Sequence, residues 1–184
     1  MKAIIASDIH GSAQATELLD ARIKTENPDL LFLLGDLLYH GPRNALPHDY
    51  DTMRTAELLN QYKDIIIAVR GNCDAEVDQW VLDFSLSDAS ACYYDEDTGI
   101  NFVLSHGHHV GMIASEPLES MPPHCAFLSG HTHIKTLEVK NGVLCVNPGS
   151  TSIPKDGVAS YASYTNGLFE LKTLEGEILQ SCKW

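Results

Sequence analysis

Three short apolar runs, each followed at once by a glycine-bearing polar motif, set the strongest limit on how this chain can fold. Lys2 to Ala6, Leu30 to Leu34 and Ile65 to Val69 read as strands, and two segments with helical spacing, Ala13 to Lys24 and Asp51 to Tyr62, separate them. In the second helix Met53, Ala56, Leu58 and Leu59 are expected to form the buried face. Strands that are apolar along their whole length must be covered on both sides, so the first half predicts a parallel sheet packed between layers. The second half changes character. Strand candidates at Ala91 to Tyr94, Ile100 to Ser105, Ala126 to Ser129, Thr136 to Val139, Val143 to Val146, Tyr161 to Tyr164, Leu168 to Thr173 and Ile178 to Cys182 follow one another through short turns. Asn141-Gly142, Asn166-Gly167 and Glu175-Gly176 mark three of those turns as hairpins, because such pairs tolerate positive φ. The expected whole is α/β, with two packed sheets flanked by helices. A length of 184 residues with 44% hydrophobic content suits one domain over 1–184.

The polar motifs carry the chemistry. The first strand runs into Ser7-Asp8-Ile9-His10-Gly11, and residues two apart on an extended segment share a side, so Asp8 and His10 could grip one ion. The second strand runs into Gly35-Asp36 and the third into Gly71-Asn72-Cys73-Asp74, with glycines where the backbone must turn sharply. Downstream, His106-Gly107-His108-His109 follows the strand ending at Ser105, and Gly130-His131-Thr132-His133 follows the one ending at Ser129. Each piece alone is common by chance. Five sets of metal-ligand chemistry, each placed just after a predicted strand, point to a metal site at the carboxyl ends of the sheet. His40, His48 and His124 have no such spacing and read as ordinary polar residues.

Charge and cysteine content narrow the function. With 12 basic and 25 acidic side chains the formal charge is −13, which repels polyanions and argues against nonspecific nucleic-acid binding. A small anionic substrate is still compatible if the site itself is positive. No leader-like opening and no apolar run of about 20 residues points to a membrane, so the expected location is cytoplasmic. Five scattered cysteines fit reduced thiols there, and Cys92, Cys125, Cys145 and Cys182 are read as core residues.

In the order Asp8-x-His10, Gly35-Asp36, Gly71-Asn72-x-Asp74, His106-Gly107 and Gly130-His131-x-His133, the sequence resembles the calcineurin-like metallophosphoesterase superfamily across nearly its whole length. It is most similar to the small prokaryotic YfcE-like phosphodiesterase branch, through Asp8-Ile9-His10-Gly11-Ser12, the stretch His40 to Pro47, Arg70-Gly71-Asn72-Cys73-Asp74 and Asn147-Pro148-Gly149-Ser150. The resemblance implies a four-layer α-β-β-α sandwich with two mixed sheets. It implies one ion held by Asp8, His10, Asp36 and His133 and a second by Asp36, Asn72, His106 and His131, with Asp36 bridging. Two divalent ions against two carboxylates leave about +2, which suits a phosphate. Ions about 3.5–4 Å apart can hold a phosphoryl oxygen and supply a bridging hydroxide for in-line attack. Mixed oxygen and nitrogen ligands favour Mn²⁺, with Zn²⁺, Fe²⁺ or Mg²⁺ as other occupants. The implied activity is a metal-dependent phosphodiesterase acting on small phosphodiesters. A phosphomonoesterase or nucleotide hydrolase is the runner-up, and a catalytically silent protein-binding scaffold of the same fold is a third reading.

Several residues qualify that picture. Many relatives carry His where this chain has Cys73, a poorer proton donor, which tilts the expectation toward diesters or activated leaving groups; a nucleophilic Cys73 is the weaker alternative. Asp36, Asn72, Cys73 and His108 are the catalytic candidates, and Asn72, His108 and Arg43 the substrate-binding ones. His108 could touch phosphate or serve as general acid, whereas Arg43 could clamp a phosphate or simply be an exposed arginine beside a turn. His109 is expected to be peripheral. Asp74 is expected to orient a ligand histidine or cap the following helix. The loop from Tyr39 to Asp49 reads as a substrate lid, and Asn147 to Ser150 as a structural turn. The closing residues, Glu177 to Trp184, form a candidate edge strand, and a homo-oligomer is expected on the strength of the resemblance.

Overall fold

In the computed structural model, residues 1–108 and 121–184 are described; His109 lies outside them. The chain runs β1 (Lys2–Ala6), α1 (Ala13–Glu26), β2 (Leu30–Leu33), α2 (Thr52–Asn60), β3 (Ile66–Ala68), a 3-10 turn η1 (Glu76–Trp80), β4 (Ser90–Asp95) and β5 (Ile100–Ser105). It continues through β6 (Cys125–Leu128), β7 (Thr136–Lys140), β8 (Val143–Asn147), β9 (Ser160–Thr165), β10 (Leu168–Thr173) and β11 (Ile178–Lys183). Element bounds differ from the sequence reading by one or two residues, as fraying ends do; η1 was not anticipated.

Two mixed sheets face each other. The first has the order β11-β10-β9-β1-β2-β3, with β1, β2 and β3 parallel and β9, β10 and β11 antiparallel. The second has the order β4-β5-β6-β8-β7, with β5, β6 and β8 parallel between antiparallel edges. The expected α/β sandwich of two mixed sheets is therefore the fold observed. Alternation along the strands explains why the first runs are apolar throughout. Ala3 and Ile5 of β1, with Phe32 of β2, point between the sheets and meet Phe102, Leu128 and Val146, while Ile4, Ala6, Leu31 and Leu33 point outward against the helices.

Local chemistry fixes the helices that cover that outer face. The Ser12 hydroxyl caps α1 by accepting from the Ala15 N–H at 3.2 Å, Asn27 ends it at φ 47°, and Ala15, Leu19 and Ile23 form its buried stripe. Asp51 caps α2 through the Arg54 N–H at 2.9 Å. Met53, expected on the buried face of α2, is 55% exposed; it lies in the first turn, and the packed face begins only with Thr55 and Ala56.

The cysteine expectation also needs correction. Cys125 is buried, but Cys145 and Cys182 are half-buried and Cys92 is exposed. Cys92 pairs opposite Val103 and Cys145 opposite Phe127, which places both thiols on the outer face of the second sheet, away from the core between the sheets. Cys182, on the edge strand β11, is half-buried but packs against the core between the sheets, as expected. All three predicted Xaa-Gly turns are present, with Asn141, Asn166 and the following glycines at positive φ and Gly176 at 93°. Among the described residues, no helix is long and apolar enough to cross a membrane.

Candidate metal centre

The loops that leave β1, β2, β3, β5 and β6 meet at one end of the sandwich and are stitched together by their backbones. The N–H groups of Asp8 and His10 donate to the Gly35 and Asp36 carbonyls at 3.1 and 2.9 Å, and the Gly130 N–H donates to the His106 carbonyl at 3.0 Å. Contact is so close that two glycines are obligatory. A Cβ on Gly71 would lie 2.5 Å from the Asp36 nitrogen, and one on Gly130 would lie 1.9 Å from the Ser7 hydroxyl. The sequence reading brought Asp8 and His10 together by extended alternation, but neither is extended. Asp8, His10, Asp36, His131 and His133 all have φ between 51° and 67°. A left-handed conformation costs a non-glycine residue about 1 kcal/mol or more, and such strain collects at functional sites. Curled loops, not a straight strand, aim these side chains inward.

Each aspartate divides its carboxylate between anchoring and the site. Asp8 Oδ2 accepts from the Ser7 hydroxyl at 2.7 Å and the His131 N–H at 3.0 Å, whereas its buried Oδ1 receives no hydrogen bond. Asp36 Oδ1 accepts from the Cys73 N–H at 2.8 Å, whereas Oδ2 faces His106 Nε2 at 3.3 Å and His10 Nε2 at 3.9 Å.

Three imidazoles are fixed in one sense. His10, His106 and His133 place Nδ1 at 2.8, 2.7 and 2.8 Å from the carbonyls of Tyr39, Leu34 and Ile153. A carbonyl can only accept, so Nδ1 carries the proton and each neutral ring presents its Nε2 lone pair to the cluster. Those lone pairs meet further acceptors. His133 Nε2 lies 3.2 Å from both His10 Nε2 and Asp8 Oδ1, and His106 Nε2 lies 3.1 Å from Asn72 Oδ1. Converging acceptors with no donor between them require protons or a cation, and the side-chain groupings Asp8–His10–His133 and Asp8–Asp36–His106 could each hold an ion. The residues present therefore fit a metal centre. Asp36 Oδ2 lies between the two histidine groups, and the His131 ring stands 5.2 Å from that of His106.

Without a metal, protons take the cation's place. Burial opposes ionisation of Asp8 and Asp36, yet contact with the histidines holds both carboxyls below their usual range. Burial likewise opposes a charge on His106, but Asp36 and Asp8 push it up to about 9. His10 rises for the same reason, through Asp8. His131 is lowered by burial and by the neighbouring His106, which leaves it a neutral ring with a lone pair.

The supporting residues were harder to foresee. Asp74 is a clamp for the Asp36 loop rather than a partner of a histidine: its carboxylate accepts from the N–H groups of Asp36, Leu37 and Gly71 at 2.8, 2.8 and 2.7 Å. The helix following it is instead capped by Asp78, which accepts from the Ala75 N–H. Asn147 donates to the Gly130 carbonyl and Ser150 to the Asp8 carbonyl, so the turn they bound braces two of the ligand loops. A cavity of about 310 Å³ opens over the cluster, lined by Asp36, Asn72, Cys73, His131 and His133 together with Arg43 and Lys155. The Tyr39–Asp49 loop thus brings Arg43 to the mouth. Lys155, on a loop held by its N–H to the His133 carbonyl at 3.0 Å, was missed; its nearest sequence signal is the Pro154-Lys155-Asp156-Gly157 turn. His108 lies beside His106 and His131 with tilted rings, centroids 5.4 and 6.1 Å away. His40 packs edge-on against Tyr39 and Tyr50, and His124 lies tilted against Trp184; neither joins a ligand grouping among the described residues.

Comparison with known proteins places this geometry in context. Residues 1–167 match the model of the calcineurin-like phosphoesterase superfamily domain. The phosphodiesterase YfcE of Escherichia coli K12 is 40% identical over 178 residues, covering 96% of this chain and 94% of YfcE. A solved structure of E. coli YfcE, described as a phosphoesterase, superposes with a TM-score of 0.92 at 37% identity, covering 100% of this chain and 99% of that one. Wild-type Vps29 of Entamoeba histolytica, solved with Zn²⁺, shares the fold at a TM-score of 0.63 and 19% identity, with 100% and 99% of the two chains covered.

Proposed function

The chain belongs to the calcineurin-like phosphoesterase superfamily, and from that premise we propose that it is a metal-dependent phosphodiesterase that hydrolyses small phosphodiesters at a two-ion centre. The observation that carries this reading is the convergence of acceptor atoms without donors. His10, His133 and Asp8 meet on one side and His106 and Asn72 on the other, with Asp36 Oδ2 between them. Asp8, His10, Asp36 and His133 would hold one ion, and Asp36, Asn72, His106 and His131 the other. When bound, two divalent ions would polarise the phosphoryl group and supply hydroxide at neutral pH. Mn²⁺ is the favoured occupant for this mix of oxygen and nitrogen donors.

The remaining residues act on the substrate. Arg43 and Lys155 line the mouth and offer positive charge to a phosphate on a chain that is otherwise strongly acidic. The Cys73 thiol is pushed up to about 12, first by burial and then by the Asp36 charge. In the metal-free protein it therefore stays protonated at neutral pH, which argues against a thiolate nucleophile. His108 stands beside the cluster as the available proton donor. The intact donor set argues against a silent scaffold. We also read 1–184 as one domain, and the five free cysteines agree with a cytoplasmic setting. Ile178 and Leu179, exposed on β11, form the edge along which copies would associate.

The test is hydrolysis of bis-p-nitrophenyl phosphate beside p-nitrophenyl phosphate by Mn²⁺-loaded protein. Diester turnover is expected to exceed monoester turnover. Faster monoester turnover would replace this reading with a phosphomonoesterase.

Metal uptake should also expel protons. Folded His106 holds its proton up to about 9, against 6.5 for the ordinary group. Its contribution to the stability of the metal-free protein is therefore complete below pH 6.5 and lost as pH rises through about 9. A metal at Nε2 must displace that proton. Calorimetric titration with Mn²⁺ at pH 7.5, in buffers of differing ionisation enthalpy, is expected to report net proton release; zero release would remove His106 from the ligand set.

A further inference from the structure

A second cavity, of about 630 Å³, adjoins the first and shares Pro42, Arg43, Asn72 and Cys73 with it. Its wall differs in kind. Tyr39, Pro42, Ala75 and Val77 give it apolar lining, and the charged residues Arg43, Arg70, Asp74 and Glu76 line it as well. Tyr39 and Val77 are 42% and 53% exposed. Neither is loosely held. The Tyr39 carbonyl is tied to the His10 ring at 2.8 Å, and Val77 lies in η1, whose start is fixed by the Asp78 carboxylate accepting from the Ala75 N–H at 2.7 Å. Arg70 is likewise fixed, donating from Nε to the Asp74 carbonyl at 3.2 Å.

A phosphodiester differs from a monoester by its second ester substituent, and that group needs a place beside the phosphoryl site. The first cavity is rimmed by Arg43, Asn44, Asn72 and Lys155, which suits the phosphoryl group. We propose that the adjoining cavity is the subsite for one ester substituent of the substrate, and that it selects an aromatic one. A planar ring laid between Tyr39, Pro42 and Val77 gains apolar contact and an aromatic partner, while Arg70 can stack on it or bond a polar edge. An alkyl group of one carbon leaves that wall uncovered. The proposal rests on the phosphodiesterase reading and deepens it, by assigning the class of substituent to Tyr39 and Val77.

The test reads binding, so it does not depend on turnover. Calorimetry on the Mn²⁺-loaded protein compares phenylphosphonate with methylphosphonate. The phenyl compound is expected to bind about tenfold more tightly. Val77→Asp, at an exposed position that tolerates charge, is expected to bring that ratio close to one, and Val77→Ala to lower it partway. A ratio near one in the unaltered protein, or one unchanged by Val77→Asp, overturns the subsite. Failure of both phosphonates to bind overturns the metal-site reading and the subsite with it. Aromatic preference in a protein that hydrolyses no diester would instead sink the phosphodiesterase reading and leave the subsite standing.

Discussion

Asp36→Ala is expected to lower diester turnover by about 10³-fold or more and to empty both ion sites, the scale reached when a group that stabilises transition-state charge is lost. The reason lies in how its two oxygens are used. Oδ1 is committed to the Cys73 N–H at 2.8 Å, so the carboxylate cannot rotate freely. Oδ2 is then held facing both His106 and His10, at 3.3 and 3.9 Å. Asp8 belongs to both ion-holding groupings as well, but its Oδ1 lies closest to His133 and His10, at 3.2 and 3.7 Å. Removing Asp36 also leaves His106 as a buried ring whose charge has lost its nearest partner, and such a ring will shed its proton. The metal-free variant should therefore bind its proton at His106 more weakly than the parent. Asp36→Asn keeps the shape and the Oδ1 contact but removes the charge, so it separates ligand loss from misfolding. Metal analysis, turnover and circular dichroism on both variants check this expectation. A folded Asp36→Ala protein that retains turnover contradicts the bridging role.

The candidate ligands were legible in the sequence, but not how the backbone presents them. Asp8, His10, Asp36, Asn72, His106, His131 and His133 were legible because each follows directly on an apolar run, and a parallel sheet brings such strand ends to one edge. The left-handed conformations at Asp8, His10, Asp36, His131 and His133 were not legible, since only long-range contacts stabilise a non-glycine residue there. Asn147 and Ser150 act across the fold on Gly130 and Asp8, and no local pattern reports a bond between residues so far apart in the chain. Lys155 reaches the cavity for the same reason, through a loop fixed to the His133 carbonyl. Asp74 misled because it follows a candidate ligand and resembles an orienting carboxylate, whereas three backbone N–H groups claim it. Met53 and Cys92 failed on geometry that composition cannot supply: one sits in a helix's first turn, the other on a sheet's outer face.

Removing metal should have an effect as large as removing Asp36, and a reversible one. Chelation is expected to abolish turnover and lower the melting temperature. A ligand at a thousandfold its Kd contributes about 4 kcal/mol per site to stability, while the stripped protein retains only its protonated histidine–carboxylate contacts in the cluster. The fold should persist, because the two sheets pack through a core that is independent of the site. Readdition of Mn²⁺ should restore both properties. The most direct test of a two-ion phosphodiesterase follows from this titration: metal-stripped protein is resupplied with Mn²⁺ in steps while bound ion and bis-p-nitrophenyl phosphate turnover are measured on the same samples. The expected result is no turnover without metal and full turnover at two ions per chain. Full turnover at one ion, or undiminished turnover with none, would contradict it.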